Sequence, residues 1–135
     1  WCYCLEEMEV KLFRVSRIGA VEVLPEPWQH AAEHVAGYID IFRIHSNRKL
    51  PIVMKMGLRA TSLLMEEFPL AAPQLQKLPD NHWLLKTEVC SYEGVGRFVL
   101  GLPGEIEIIE TPEFLDYISR QLDKMKEALP EIKSE

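Results

Sequence analysis

The sequence predicts an α+β protein whose larger part is a ferredoxin-like sandwich with the element order βαββαβα. Residues 52–130 alternate between short apolar strands and segments whose apolar residues recur every three or four positions. Asp80 and Asn81 tolerate the left-handed backbone of a tight hairpin, so the two middle strands are expected to be neighbours. The order of elements and the crossover rule favour a four-stranded antiparallel sheet with helices on one face.

The first 24 residues predict a β-hairpin. One strand is expected near residues 1–5 and a longer one over 10–24, interrupted by Gly19. Pro25 and Pro27 end the pairing, because a proline nitrogen cannot donate to a strand ladder.

A helix is predicted from Trp28 to about Ile44, followed by a linker. The apolar residues of this helix recur at three- and four-residue spacing. They are Val35, Tyr38, Ile39 and Phe42. Residues 46–51 are polar and end in a proline, which is typical of a connection between domains.

The second part is predicted to begin with a strand over 52–58. A helix capped by Thr61 or Ser62 follows, and Pro69 closes it. The next elements are two strands, a helix and a further strand. They are expected over 74–78, 82–90, 92–102 and 105–110.

The last helix carries the strongest local signal of the chain. Thr111 is a favourable N-cap, Pro112 suits the first helical position, and Pro130 stops the helix. Between these signals an apolar seam follows alternating three- and four-residue steps, as on an amphipathic helix. The seam consists of Leu115, Ile118, Leu122, Met125 and Leu129.

Two arginines, Arg14 and Arg17, stand three residues apart in an otherwise apolar run. In an extended strand their side chains would lie on opposite faces. Each guanidinium has five donors to satisfy, so such arginines pair with acids or bind an anionic ligand. Surface pairing with Glu7, Glu9 or Glu22 is the alternative to a ligand.

A set of short, mostly apolar motifs runs along nearly the whole chain. The first group is Phe13-Arg14-Val15-Ser16-Arg17-Ile18, Val21-Glu22-Val23-Leu24 and Pro25-Glu26-Pro27-Trp28. The second is Val53-Met54-Lys55-Met56, Trp83-Leu84-Leu85, Gly104-Glu105-Ile106-Glu107-Ile108-Ile109 and Pro112. The first group resembles the end of a WYL domain, a sensor domain of bacterial transcription regulators. The second resembles the C-terminal extension that follows WYL domains in those proteins.

The resemblance implies three parts: residues 1–45 as the C-terminal remnant of a small, Sm-like WYL barrel, 46–51 as a linker, and 52–130 as the ferredoxin-like extension domain. It also implies that Arg14 and Arg17 match the arginines that face a nucleic-acid or nucleotide-like effector. The family usually has aspartate where Ser16 stands, so these arginines lack one fixed acidic partner here.

The resemblance further implies elements that precede the matched region in the family. These are a winged helix-turn-helix and most of the WYL sheet, so the chain is expected to be a piece of a longer regulator. Duplex DNA would then be contacted only through that other domain. A cytoplasmic location and a homodimer are expected for such a regulator.

Charge is unevenly distributed. The net charge of −6 argues against a broad duplex-binding surface, yet residues 41–65 contain no acid. Their basic residues are Arg43, Arg48, Lys49, Lys55 and Arg59. Arg43, Arg48 and Lys49 form a possible basic patch suited to an anionic ligand or a short single strand. Pairing of this stretch with acids, within the fold or across a dimer, is equally compatible with the sequence.

No metal site is expected. Cys2 and Cys4 would point to the same side of a strand, too far apart for an unstrained disulfide. His30 and His34 have i,i+4 spacing, but only Glu33 or Asp40 could serve as a third ligand. A solvated helix face is the favoured interpretation of the two histidines.

Enzymatic activity, a cofactor and a membrane span are not expected either. Cys90 and His82 lie too far apart along one strand to form a nucleophile–base pair. No glycine-rich phosphate loop is present, and no apolar run approaches the roughly 20 residues that cross a bilayer.

Three functions are compatible with the sequence. The first is the effector-sensing and dimerising region of a helix-turn-helix transcription regulator. The second is a protein–protein interaction or dimerisation module. The third is a small-metabolite-binding regulatory domain of ACT type, which has the same sandwich fold, and fold alone does not choose among them.

Overall fold

A computed structural model describes residues 1–131, and the chain divides into two compact units, Trp1–Tyr38 and Ile39–Glu135. The protein is α+β, as the sequence predicts. Its described residues contain small β-sheets and three α-helices, and each unit is considered by itself below.

The first unit contains a short hairpin. Strands β1 (Cys2–Cys4) and β2 (Glu9–Lys11) pair antiparallel. The chain then leaves the ladder, forms a 3-10 turn at Val15–Arg17, and continues without regular structure over 18–24. The predicted strand over 10–24 is therefore wrong beyond Lys11. A strand needs a neighbour to hydrogen-bond with, and none pairs with this segment among the described residues.

The predicted helix over 28–44 is also wrong. The chain forms turns over 29–33 and then the two-residue strands β3 (Tyr38–Ile39) and β4 (His45–Ser46). Of the four residues that gave the apolar spacing, only Phe42 is buried in the core of the second unit, whereas Val35 and Ile39 are exposed. The side chain of Asp40 holds this turn, since it accepts hydrogen bonds from backbone N–H groups that follow it.

A four-stranded antiparallel sheet forms the centre of the second unit. Its strands are β5 (Leu50–Met56), β6 (Leu75–Lys77), β7 (Trp83–Val89) and β8 (Ile106–Ile108), in the order β6-β7-β5-β8. Leu50 and Pro51 are the first residues of β5, so the predicted linker 46–51 is partly strand.

Three helices accompany this sheet: α1 (Leu58–Glu67), α2 (Tyr92–Leu100) and α3 (Pro112–Ala128). Gly57 is the N-cap of α1, so the prediction of a cap at Thr61 or Ser62 is wrong. The Thr61 hydroxyl lies inside the helix and donates to the carbonyl of Gly57 at 2.8 Å. The ends of α3 agree with the prediction, since Pro112 is its first residue and the helix stops before Pro130.

The helices pack on one face of the sheet. Ile52, Met54 and Met56 of β5 are fully buried, while Lys55 points to the other face. The buried helix residues of the same cluster include Leu64, Val95, Phe98, Phe114 and Ile118. Among the described residues, this core contains no member of Trp1–Tyr38.

Candidate functional site

The predicted arginine pair lies on one 3-10 turn rather than on a strand. The backbone N–H of Arg17 donates to the carbonyl of Arg14 at 2.9 Å, and that of Ile18 donates to Val15 at 3.1 Å. Arg14 is the extended residue before the turn, with φ of −78° and ψ of 124°, and Arg17 is the last residue of the turn. The hydrogen bond between them brings their backbones close together, which a strand would not do.

Neither arginine is neutralised by an acid of the described residues. Two of the predicted partners are engaged elsewhere, because Glu7 and Glu9 both pair with Lys11 of the same hairpin. The Lys11–Glu7 contact raises the pKa of this lysine. Arg14 and Arg17 are exposed and form no ion pair within residues 1–131. Two adjacent cations thus remain available to an anion from outside.

Apolar side chains surround the arginine turn. Val15 inside the turn is 83% exposed, and Phe13 and Ile18 beside it are about half exposed. Guanidinium forks bind phosphate oxygens through paired hydrogen bonds, and adjacent apolar surface can contact a ring or sugar. This combination suits a nucleotide-like anion better than a small inorganic ion.

A second cationic turn lies in the other unit. The amide N–H of Asp40 donates to Ile44 at 2.9 Å and that of Arg43 donates to Asp40 at 3.0 Å. Arg43 has a left-handed backbone with φ of 63°, the geometry of a type I turn followed by a left-handed residue. A non-glycine residue there costs about 1–2 kcal/mol. Met8, Asn81 and Glu110 have the same left-handed backbone, so the conformation of Arg43 is a property of its turn.

The basic stretch 41–65 divides into two halves. Lys55 pairs with Asp80 at 2.8 Å, and Arg59 pairs with Glu105 at 3.1 Å. Arg43 forms no ion pair with a described residue and neither does Arg48. The predicted basic patch of Arg43, Arg48 and Lys49 is exposed throughout.

Arg48 lies near the start of α2. Burial raises the pKa of the Tyr92 hydroxyl, Glu113 raises it further, and Arg48 acts in the opposite direction. The backbone of Arg48 is fixed by Ser46, whose Oγ accepts its N–H at 2.8 Å. The charge of Arg48 thus acts on Tyr92, the first residue of α2.

Asp40 fixes the position of the second cationic turn, a role that the sequence analysis missed. The residue is fully buried. One carboxylate oxygen accepts the N–H groups of Phe42 and Ile44 at 2.9 and 3.0 Å, and the other accepts that of Cys90 at 2.8 Å. Aspartate is favoured at the first position of a type I turn, and this preference was the available signal. Because both oxygens are engaged, Asp40 is not free to act as a metal ligand.

The two histidines considered for metal binding pack on aromatic rings instead. His30 stacks on Tyr3 with 4.1 Å between ring centroids, and His34 meets Trp28 edge-on at 4.7 Å. Since the segment is not helical, the predicted solvated helix face is wrong. Within residues 1–131 no group of three potential metal ligands occurs, and the cysteines form no disulfide.

Two concave sites of the second unit differ in the chemistry of their lining. One is an apolar cavity of about 300 Å³ between the end of α2, β8 and α3. The other, of about 190 Å³, is lined by charged groups that include Lys55, His82 and Glu105. The contact with Asp80 raises the pKa of Lys55, and the same contact lowers that of Asp80.

Comparisons with known proteins do not identify the chain. No protein-family model, curated protein or solved structure matches it. Among residues 1–131, none of the helices combines the length and the apolar character that crossing a bilayer requires.

Proposed function

We propose that this chain is the effector-sensing and dimerising region of a WYL-type bacterial transcription regulator, and that the turn bearing Arg14 and Arg17 binds the effector. The observation that carries the proposal is the turn itself. It brings the backbones of two arginines together through one hydrogen bond, and neither arginine has an acidic partner among the described residues.

The strand order of the second unit supports the same family. Numbered within the four-stranded sheet, the order is second, third, first, fourth, with helices after the first and third strands. We propose that this sheet and its helices are the ferredoxin-like sandwich that the resemblance to the WYL extension domain implies. We therefore propose that residues of the second unit form that extension and relay effector binding within a cytoplasmic regulator.

The effector class follows from the chemistry of the turn. A planar guanidinium binds phosphate through two parallel hydrogen bonds, and two such groups on one turn match successive phosphates. Exposed ion pairs are individually weak in water, so an effector with several charges is favoured. A short single-stranded nucleic acid or a nucleotide meets this requirement, and Arg43, Arg48 and Lys49 are a second candidate contact.

The test is the binding of a fluorescein-labelled single strand of about ten nucleotides, followed by anisotropy at several salt concentrations. Replacing both arginines in R14A/R17A should weaken binding about tenfold or more. The slope of log K against log salt should fall by about 1.4, since roughly 0.7 is lost per phosphate contact.

The matched control is R59A/R120A, which removes the same charge from exposed arginines of the second unit that have acidic partners. It should leave the salt slope nearly unchanged. Equal losses in both double variants would mean that net charge, and not the arginine turn, governs binding. An unchanged affinity in R14A/R17A would remove the turn from the proposal. Competition by unlabelled nucleotides shows whether the effector is a single nucleotide or a longer strand.

A dimerisation module remains the second candidate, because α3 exposes a row of large apolar residues. The ACT-type alternative has less support. An amino acid would need partners for its ammonium and carboxylate groups. The apolar cavity has no charged residue in its lining, and in the charged site Lys55 already pairs with Asp80 and Glu105 with Arg59.

A further inference from the structure

A groove of the second unit lies between the end of α1, the middle of α2 and the turn that contains Phe42. Its volume is about 280 Å³, which is close to the lower end of the range for small-molecule sites and suits a molecule of amino-acid size. The lining residues are Phe42, Glu67, Phe68, Gly94, Arg97 and Phe98. All of them belong to one unit of one chain, so a ligand in this groove needs no second copy.

Three aromatic rings form the floor of the groove. The ring of Phe68 meets that of Phe42 edge-on with 4.9 Å between their centroids, and it lies 6.3 Å from that of Phe98. Phe42 and Phe98 are buried, whereas Phe68 is half-buried. Gly94 permits this packing, because a Cβ at its position would lie 2.8 Å from the Cβ of Phe42. The floor therefore offers an apolar contact to a ligand, mainly through the ring of Phe68.

Arg97 offers an oriented guanidinium group at the edge of this floor. Its Nε donates to the carbonyl of Glu93, one helical turn earlier, at 3.2 Å. The side chain is exposed, and it forms no ion pair among residues 1–131. Because Nε is anchored, the two Nη groups remain for another partner. A guanidinium held in this way is suited to a carboxylate, which it binds through parallel hydrogen bonds.

The end of α1 offers the opposite charge. Glu66 and Glu67 are its last two residues, and its last turn contains no basic residue. Acids are unfavourable there, because the C-terminal end of a helix carries a partial negative charge. Glu67 has no cationic partner in the part of the chain that the structure describes. Local choices of this kind are typical of functional sites, and an ammonium group beside Glu67 would neutralise the charge.

The combination of the two charges selects the class of ligand. Glu67 and Arg97 line the same groove without forming an ion pair with each other, so a ligand can lie between them. Glu67 and the helix end would repel a polyanion, and Arg97 would repel a simple cation. A zwitterion satisfies both groups. The aromatic floor adds a preference for a large apolar side chain.

We infer that this groove binds a free α-amino acid with a large apolar side chain. Its carboxylate lies on Arg97, its ammonium group on Glu67 and its side chain on Phe68. The inference goes beyond the proposed function, since it gives the regulator a second ligand besides the anionic effector, and it does not depend on the arginine turn.

Titration of the full chain with L-phenylalanine and with L-leucine tests the inference. Backbone amide NMR signals are followed up to about 10 mM of each amino acid. At least one of them should bind saturably and shift the signals of Gly94 and Arg97. E67Q and R97M should each weaken this binding at least about tenfold, because each variant leaves one charge of the ligand without its partner.

Two analogues separate the roles of the two charged residues. Phenylpropanoate lacks the ammonium group of phenylalanine, and phenethylamine lacks its carboxylate. The wild type should bind phenylalanine at least about tenfold more tightly than either analogue. E67Q should lose its preference over phenylpropanoate, and R97M should lose its preference over phenethylamine. A merely structural effect of these variants would weaken all three ligands equally.

The matched controls are E66Q and R120M, which remove the same charges outside the groove. Glu66 precedes Glu67 on α1, and Arg120 pairs with Asp116 on α3. Both variants should bind like the wild type, and circular dichroism checks that every variant is folded. The preference of the wild type among the three ligands tests the inference without any substitution.

Three results would overturn the inference. They are the absence of saturable binding of both amino acids, equal affinity of the wild type for phenylalanine and its analogues, and losses in the controls as large as those in E67Q and R97M. R14A/R17A should bind the amino acid normally. A chain that binds the oligonucleotide through the arginine turn and binds neither amino acid would contradict the groove alone.

Discussion

At the scale of single residues, Asp40 has the most demanding environment in the second unit. Its carboxylate is fully buried and accepts three backbone hydrogen bonds, two from its own turn and one from Cys90 at the end of β7. Through these hydrogen bonds the carboxylate connects its own turn to the end of β7, which is distant in sequence. The exposed Arg43 therefore occupies a fixed position.

D40N should lower the free energy of unfolding by about 2–3 kcal/mol, because an amide nitrogen would face a backbone N–H and leave both groups without an acceptor. Urea unfolding followed by circular dichroism measures the loss. D116N is the control, since that carboxylate forms an exposed pair with Arg120, and it should change stability by less than about 0.5 kcal/mol. A D40N loss no larger than that of D116N would contradict the structural role of Asp40.

The arginine pair was predictable as residues but not in its geometry. The sequence suggested Arg14 and Arg17 as a pair available to an anion, and in the structure a backbone hydrogen bond joins the two residues across a turn. Their arrangement was not predictable from alternation, because the segment does not form a strand. Local hydrogen bonds, which the apolar pattern does not encode, decided the geometry.

At the scale of elements, one ion pair joins the β6–β7 turn to the centre of the sheet. Asp80 lies in that turn, and Lys55 is on β5. The pKa of Asp80 is lowered mainly by its hydrogen bond to Lys55. A carboxyl whose folded pKa is lowered contributes stability above its unfolded pKa and loses that contribution as pH falls through the folded value.

D80N should therefore be less stable than the wild type near pH 7, and the difference should shrink at an acidic pH below the usual aspartate range. Urea midpoints of both proteins at the two pH values measure it. In a K55M background the same substitution should show little pH dependence, because the main cause of the shift is gone. A wild-type advantage that persists unchanged at low pH would contradict this assignment.

Helices and strands were predictable where residues close in sequence determine them, as in a tight turn or at a helix end. The hairpin turn has Asn81 in a left-handed backbone with φ of 61°, and the ends of α3 follow their proline signals. The predictions over 10–24 and 28–44 are wrong for different reasons. The first segment has no pairing strand in the described residues, and in the second only Phe42 of the residues that gave the spacing enters the core.

The apolar seam of α3 was predictable as part of a helix but not in its contacts. Its periodicity correctly indicated a helix, but periodicity does not say which partner covers an apolar stripe. Within the unit, Phe114 and Ile118 are buried while Leu122 and Met125 are exposed. Sequence alone could not separate a face turned to the core from one turned to another molecule.

At the scale of the whole molecule, the two units have different roles in the proposal. The hydrophobic core lies in the second unit, and the arginine turn lies in the first. The net charge of −6 opposes nonspecific binding to nucleic acid, so binding must come from local cations. A sensor in which a small cationic surface is attached to a dimerising αβ unit accounts for both features.

The central claim is that the turn at Arg14 and Arg17 contacts an anionic effector, and side-chain NMR tests it most directly. A single strand of about ten nucleotides is titrated into the labelled chain while the arginine Nε–H signals are followed. We expect the signals of Arg14 and Arg17 to shift together and saturate, with those of Arg59 and Arg120 unchanged. Saturable binding that leaves both turn signals unmoved, or no binding at low salt, would contradict the claim.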